Sequence, residues 1–463
     1  MNIIKDFFKI KERNSDIKTE LLGGFTTFIT IVYIIAVIPL NLSGIGLDLG
    51  GAFTATVIST TIATLIVGIY GNFPFALVPS IGINSYFAFS IILTMGKSVE
   101  FALTASLISA FILLLLTILN IRQMLFNAIP VTLKQAMVCG VGLFIAFVGL
   151  KNVGIIEVGD GLLKLGNLQN PSIYLSLIGI LLISILEYYN KKGSFVIGIL
   201  FVTIIGIFLN VTKLPTSIVS MPPSISKTYL RFLSINEILS LDMALSVLVF
   251  LFVAIFDTIG TLSGLGAKAD LLDKNGKLEK INRVYIADSI GGIVASICGT
   301  SIIGTALESA SGIKEGAKTG LSSVVVSILF VISLFLSPIF LSIPTAATTP
   351  VLFIIGYSMI STIKSIDFSD ITEALPAFVV IIMTPLTYSI ADGIILGLLS
   401  YVLIKIFAGR LREIPKATLV LAFIFILKII LIKWKYDIMK LSGEQLLRGD
   451  SISTLKLNQV MLA

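Results

Sequence analysis

The chain has 463 residues, of which 56% are hydrophobic and only 13% charged, and its mean hydropathy is +1.04. Soluble globular domains carry about a quarter charged residues, so this composition excludes a soluble protein and specifies a polytopic membrane protein. The formal net charge of +7 does not indicate a nucleic-acid partner, because the basic residues are spread through short loops, where they report topology.

In chain order, residues 1–18 (MNIIKDFFKIKERNSDIK) are basic and amphipathic but lack the apolar core and small-residue cleavage site of a signal peptide. Residues 1–20 are therefore expected to be a cytoplasmic tail resting on the membrane surface. Apolar runs long enough to cross about 30 Å of hydrocarbon follow. Seven are expected near 21–42, 50–70, 74–93, 99–119, 131–150, 172–189 and 194–211. Seven more are expected near 241–265, 283–299, 302–313, 319–343, 348–363, 373–389 and 391–408. With the N-terminus in the cytoplasm, about 21 Lys and Arg up to residue 416 fall inside and about 6 outside, which supports an even number of spans. A further apolar stretch, 418–434, would put Lys435, Lys440, Arg448 and Lys456 outside if it crossed. It is read as an interfacial or re-entrant helix followed by a cytoplasmic tail. Cys139 and Cys298 lie within apolar runs as small hydrophobes, and no disulfide, metal or cofactor is expected.

Seven plus seven spans imply two repeats of opposite orientation, since an odd-numbered repeat inverts on duplication. Pro130 opens span five and Pro344 precedes span twelve. Span three carries Pro74, Pro79 and Gly82; span ten carries Gly299, Gly304 and Gly312. Both are poor continuous helices, and interrupted segments at matching positions of two halves point to a transport site near the bilayer midplane. Backbone groups freed at such breaks need partners, which a polar substrate can supply.

The acids sharpen this expectation. A carboxylate at the centre of a membrane helix costs roughly 2.5–3.5 kcal/mol on insertion scales, so it persists where it faces a cavity or a partner. Glu308 lies in GTSIIGTALESASG and Asp257 in VFLFVAIFDTIGTLSG. Each is read as a site residue, with a structural acid as the alternative. Asn84, just after the break in span three, is either a ligand or an interhelical hydrogen bond that holds the bundle. Asp288 (IADSIGG) reads equally as a second layer behind the site and as a helix contact. Asp392 and Gly393 suit a turn and cap.

At these residues the chain resembles the xanthine/uracil permease family of nucleobase/cation symporters, in its hypoxanthine/guanine branch. The resemblance runs over roughly residues 8–430. It rests on TELLGGFTTFITIVYI, NFPFALVPSIGINSYFAF, FDTIGTLSG, GTSIIGTALESASG with KTGL after it, and ITEALPAFVVIIMTPLTYSIADGI. It implies an all-α, fourteen-span inverted-repeat fold with short extended pieces in spans three and ten. A core domain would comprise 21–119 and 241–343, a gate domain 120–211 and 344–409, with 410–463 the C-terminal helix and tail. It further implies Asn84, Asp257, Leu307 and Glu308 as purine-binding residues, and Asp257, Glu308 and Asp288 as candidates for proton coupling.

Those residue types suit the ligand. An oxopurine offers ring N–H donors and a carbonyl acceptor; a carboxylate accepts from two donors, and a carboxamide both donates and accepts. The chain contains no histidine, so coupling to protons falls to carboxyl groups. One departure stands out: where the branch pattern has a further acid, one turn before Asp257, this chain has Ala254. The expected function is import of hypoxanthine, guanine or adenine across the plasma membrane by proton symport, with sodium the less favoured ion. Membrane lipid is the surrounding partner, and a homodimer is left open. The alternatives are transport of xanthine or uracil, and transport of an anion on the same fold, which two site acids disfavour. An intramembrane aspartyl protease lacks support, since its GxGD element is missing.

Overall fold

The computed structural model describes residues 2–122, 130–159, 162–215, 217–234, 238–269, 271, 278, 280–416, 418–423, 425 and 426. Most of the apolar helix expected at 418–434 and the tail beyond it thus lie outside the described residues.

After a short helix α1 (Asn2–Phe7), the first apolar run is helical from Ile17 to Ser43 but not continuous. Helices α2 (Ile17–Ile31) and α3 (Ile34–Ser43) meet at a turn formed by Val32 and Tyr33. Asp16 caps α2 by accepting from the Thr19 amide, which satisfies one of the donors a helix start leaves free. Helix α4 (Leu49–Ile66) runs into a π turn, Val67–Gly71, and stops at Asn72 with φ +54°. The chain is then extended in strand β1 (Leu77–Pro79), re-enters helix at α5 (Ile81–Ser85), and continues as π-helix to Thr94. Wide helical turns of this kind occur frequently beside functional sites. Helix α6 (Val99–Ile118) follows, capped by Ser98, and α7 (Val131–Asn152) starts behind Pro130.

After α7, β2 (Ile156–Gly159) pairs antiparallel with β3 (Leu162–Leu165), between the fifth and sixth expected spans. Helices α8 (Pro171–Tyr188) and α9 (Ser194–Phe208) close the first half. The second half opens with α10 (Leu241–Lys268) and α11 (Ile281–Cys298), the latter ended by Gly299 at φ +99°, a backbone conformation that favours glycine. Strand β4 (Ile303–Thr305) and the six-residue α12 (Ser309–Lys314) come next. Helices α13 (Gly320–Phe335), α14 (Ser337–Leu341), α15 (Thr345–Ile360), α16 (Ile371–Leu386) and α17 (Ile390–Phe407) complete the fold.

Among the described residues, eight helical segments are long and apolar enough to cross a membrane, and five more apolar helices are 10–17 residues long. The protein is accordingly a multi-pass membrane protein. Its helices pack in two groups. In one, α2, α3, α4, α6, α10, α11 and α13 contact one another; in the other, α7 lies against α15 and α16, α8 against α9 and α15, and α16 against α17. Small residues permit the closest approaches, as is usual where helices associate within lipid. A β-carbon added at Gly312 of α12 would lie 2.2 Å from Thr27 Oγ1 and 2.3 Å from the Gly23 carbonyl oxygen of α2.

Strands β1 and β4 pair antiparallel, with Leu77 opposite Thr305, Val78 opposite Gly304 and Pro79 opposite Ile303. The Ser80 amide donates to the Ile302 carbonyl at 3.3 Å and the Ala306 amide to the Ala76 carbonyl at 2.9 Å, extending the ladder at both ends. Both strands are fully buried. Non-helical backbone is tolerated at membrane depth only where its polar groups find partners, and here each break supplies partners for the other.

Candidate functional site

The strand crossing fixes the residues on either side of it. Asn84 lies one turn into α5 and is fully buried; its Nδ2 donates to Ser301 Oγ at 3.3 Å, just before β4. Its Oδ1 has no hydrogen-bond partner among the described residues. An amide oxygen left unpaired in a buried position costs about 1–3 kcal/mol, so this acceptor is available to a donor. The Thr305 hydroxyl, on β4, is likewise buried and without a partner among the described residues.

Asp257 comes to the same crossing from α10. Its carboxylate abuts Gly304, where an added β-carbon would stand 2.7 Å from Asp257 Oδ2 and 3.3 Å from Ser80 Cβ. Only glycine at 304 leaves room for that approach, and Ser80, between β1 and α5, is the hydroxyl that hydrogen-bonds the acid.

Glu308 follows β4 and leads into α12 without capping it. Tyr33, at the turn between α2 and α3, donates its phenol to Glu308 Oε1 at 2.6 Å. That leaves Oε2 to receive a donor. The hydroxyl of the next residue, Ser309, accepts from the Ala76 amide at 3.0 Å, tying the Glu308 segment to the end of β1. Leu307 has a side chain 57% exposed.

Asp288 has a different setting. It is 1% exposed and pairs at 2.5 Å with Arg122, itself 1% exposed, while Thr258 donates to the same Oδ2 at 3.0 Å. The guanidinium also lies 4.5 Å from the centre of the Tyr285 ring. The ion pair joins the chain after α6 to α11, and Thr258, which also binds Asp288, follows Asp257 directly in sequence. Ala254 is fully buried on the face of α10 that carries Phe250, whose ring meets Tyr86 edge-on at 4.9 Å. Asp392 sits in the first turn of α17, where its amide donates to Ser389 Oγ, a capping arrangement.

Tyr33, Ser80, Ser301 and Arg122 were not singled out from the sequence. Tyr33 reads there as one aromatic in an apolar run. Arg122 reads as a loop cation, since it falls beyond the end of the fourth apolar stretch. Ser80, next to Pro79, and Ser301, two residues after Gly299, carried one signal, their closeness to the helix breaks.

Comparison with known proteins bears on this arrangement. The profile of the Permease family (Xan_ur_permease) matches residues 18–396. The chain is 36% identical to the adenine permease AdeP of Escherichia coli, over 93% of this chain and 96% of that one. It is 34% identical to the guanine/hypoxanthine permease PbuO of Bacillus subtilis, over 92% of this chain and all of that one. In fold it is similar to the transmembrane domain of the cyanobacterial bicarbonate transporter BicA, with a TM-score of 0.61 at 17% identity over 82% of this chain and 96% of that one.

Proposed function

This chain belongs to the xanthine/uracil permease family and is a membrane transporter, and from that premise we propose that it imports purine nucleobases by proton symport. The observation that carries the reading is the pair of polar groups at the strand crossing: the buried, partnerless Oδ1 of Asn84 and the Glu308 carboxylate that Tyr33 holds by one oxygen. Both are acceptors, and they suit the ring N–H and amino donors of hypoxanthine, guanine and adenine. A uracil ring also carries donors, but it is smaller, and a site whose hydrogen bonds are matched to one ligand loses affinity for another that leaves its buried groups unpaired.

The architecture proposed for this activity has fourteen spans. The eight long and five shorter apolar helices among the described residues, with the β4–α12 segment taken as the tenth crossing, are consistent with that number. The first packing group serves as a core domain (21–119 and 241–343) and the second as a gate domain (120–211 and 344–409). Arg122 belongs functionally with the core, because its partner Asp288 does. Both termini lie in the cytoplasm, as the distribution of Lys and Arg favours. Alternating access is relative movement of the two domains about the crossing, with Asp257 and Glu308 carrying the coupled proton.

Uptake of a radiolabelled purine panel in a permease-deficient cell, with and without a protonophore, tests the reading. Hypoxanthine, guanine or adenine should accumulate against a gradient, and the protonophore should abolish accumulation. Competition by uracil as strong as by hypoxanthine would overturn the substrate assignment.

A further inference from the structure

Tyr33 faces two ways. Its hydroxyl is on Glu308, and its ring meets Phe195, in the first turn of α9, edge-on with centroids 5.3 Å apart. Phe195 belongs to the second packing group, whereas Tyr33 and Glu308 belong to the first. Tyr33 is only 2% exposed and stands where the first apolar run is interrupted. It is therefore on a joint and not inside a regular helix.

The chain around Phe195 strengthens the connection. Lys192 pairs with Glu315, which directly follows α12, and a β-carbon added at Gly193 would lie 2.8 Å from Ile29 Cγ2 on α2. Residues 192–195 thus touch the first group at three places. Two of them flank α12: Glu308 at its start, reached through Tyr33, and Glu315 at its end.

We propose that Tyr33 is a positioning residue that reports the occupancy of Glu308 to the α9 segment through Phe195. The proposal rests on the reading of Glu308 as a purine-binding acid. The phenol holds the Glu308 carboxylate, by Oε1 at 2.6 Å, in the orientation that receives the substrate; when a substrate donor binds beside it the carboxylate turns, and the ring of Tyr33 shifts with it on Phe195. An edge-to-face pair has a preferred geometry, so such a shift changes the contact between the two helix groups. The hydroxyl thereby sets affinity, and the ring contact sets the rate at which the groups move.

The test separates the two faces of the tyrosine by measuring equilibrium binding of radiolabelled adenine and hypoxanthine to purified protein beside saturated uptake in proteoliposomes. Tyr33→Phe should weaken binding about tenfold and leave the saturated rate within about threefold of wild type. Phe195→Ala should leave binding within about twofold and slow saturated uptake about tenfold, and Phe195→Tyr, which keeps the ring, should restore the rate. Wild-type uptake speed in Phe195→Ala, or a loss of binding equal to its loss of rate, overturns the proposal, as does a Phe195→Tyr protein as slow as Phe195→Ala. A wild-type protein that neither binds nor accumulates either purine overturns the underlying reading of the site instead.

Discussion

Asp288 and Glu308 are both acids of the membrane interior, and they are held in opposite ways. Asp288 is matched by a full positive charge, Arg122 at 2.5 Å, and by the Thr258 hydroxyl on the same oxygen. Glu308 has the Tyr33 phenol on one oxygen and no ion pair among the described residues. A carboxylate paired with a guanidinium in a dry interior is fixed, because removing either partner strands a charge. A carboxylate held by neutral donors can exchange one of them for another. The comparison separates an acid that keeps two helices in register from one that can take and release a ligand.

Breaking the fixed side should have the largest effect. Arg122→Met leaves Asp288 buried and uncompensated, and is expected to destabilise the protein by about 3–5 kcal/mol, read as lower yield and a lower melting temperature in detergent. The double variant Arg122→Met with Asp288→Leu should recover most of that loss, since removing both charges is far less costly than removing one. A single variant as stable as wild type would make the pair dispensable.

The exchangeable side should respond in binding and not in stability. Glu308→Gln keeps the size and one acceptor but removes the charge, so purine binding should fall by about 1.5–3 kcal/mol, the range for a hydrogen bond to a charged group. The melting temperature should hold or rise, an uncharged residue being easier to place in the membrane. Normal binding by this variant would move Glu308 into the same class as Asp288.

Ala254 offers a smaller change. An acid there, three residues before Asp257, adds one acceptor on the α10 face that meets span three. Ala254→Asp should sharpen discrimination among hypoxanthine, guanine, adenine and xanthine severalfold, on the scale of one hydrogen bond of about 1 kcal/mol, at some cost in yield. An unchanged competition profile would mean that position 254 does not face the purine.

The smallest effect is expected from an acid outside the membrane. Asp370 caps α16, and the Thr372 hydroxyl and amide, together with Arg410, hold its carboxyl down at about 2. Its folded value lies below the unfolded one, near 3.9, so its contribution is fully present above about pH 4 and is lost only as pH falls toward 2. Asp370→Asn should therefore leave the pH profile of uptake between 5 and 8 unchanged. A shifted profile would implicate this surface cap in coupling.

Much of this contrast was legible in the sequence, and its limits have physical causes. Pro79, Gly299 and Gly304 mark the two breaks because such residues are poor helix formers, whereas Gly82 lies within α5; Asn84 and Glu308 stand out because polar groups are expensive in lipid. That the breaks pair as strands β1 and β4 is a contact across more than two hundred residues, which no local pattern encodes. Tyr33 escaped notice for a related reason: a tyrosine in an apolar run looks the same whether it faces lipid or a carboxylate. Arg122 gave no local signal either. It lies past the end of an apolar run, and only the return of the chain onto α11 buries it against Asp288.

The claim that joins these parts is that purine entry is coupled to protons through the membrane acids. Its most direct test is the luminal pH of de-energised proteoliposomes on addition of adenine or hypoxanthine, for wild type and for Asp257→Asn. Wild type should acidify the lumen as purine enters, without sodium, while Asp257→Asn should bind purine yet move no protons. Purine entry that leaves luminal pH unchanged, or that requires sodium, would contradict the account.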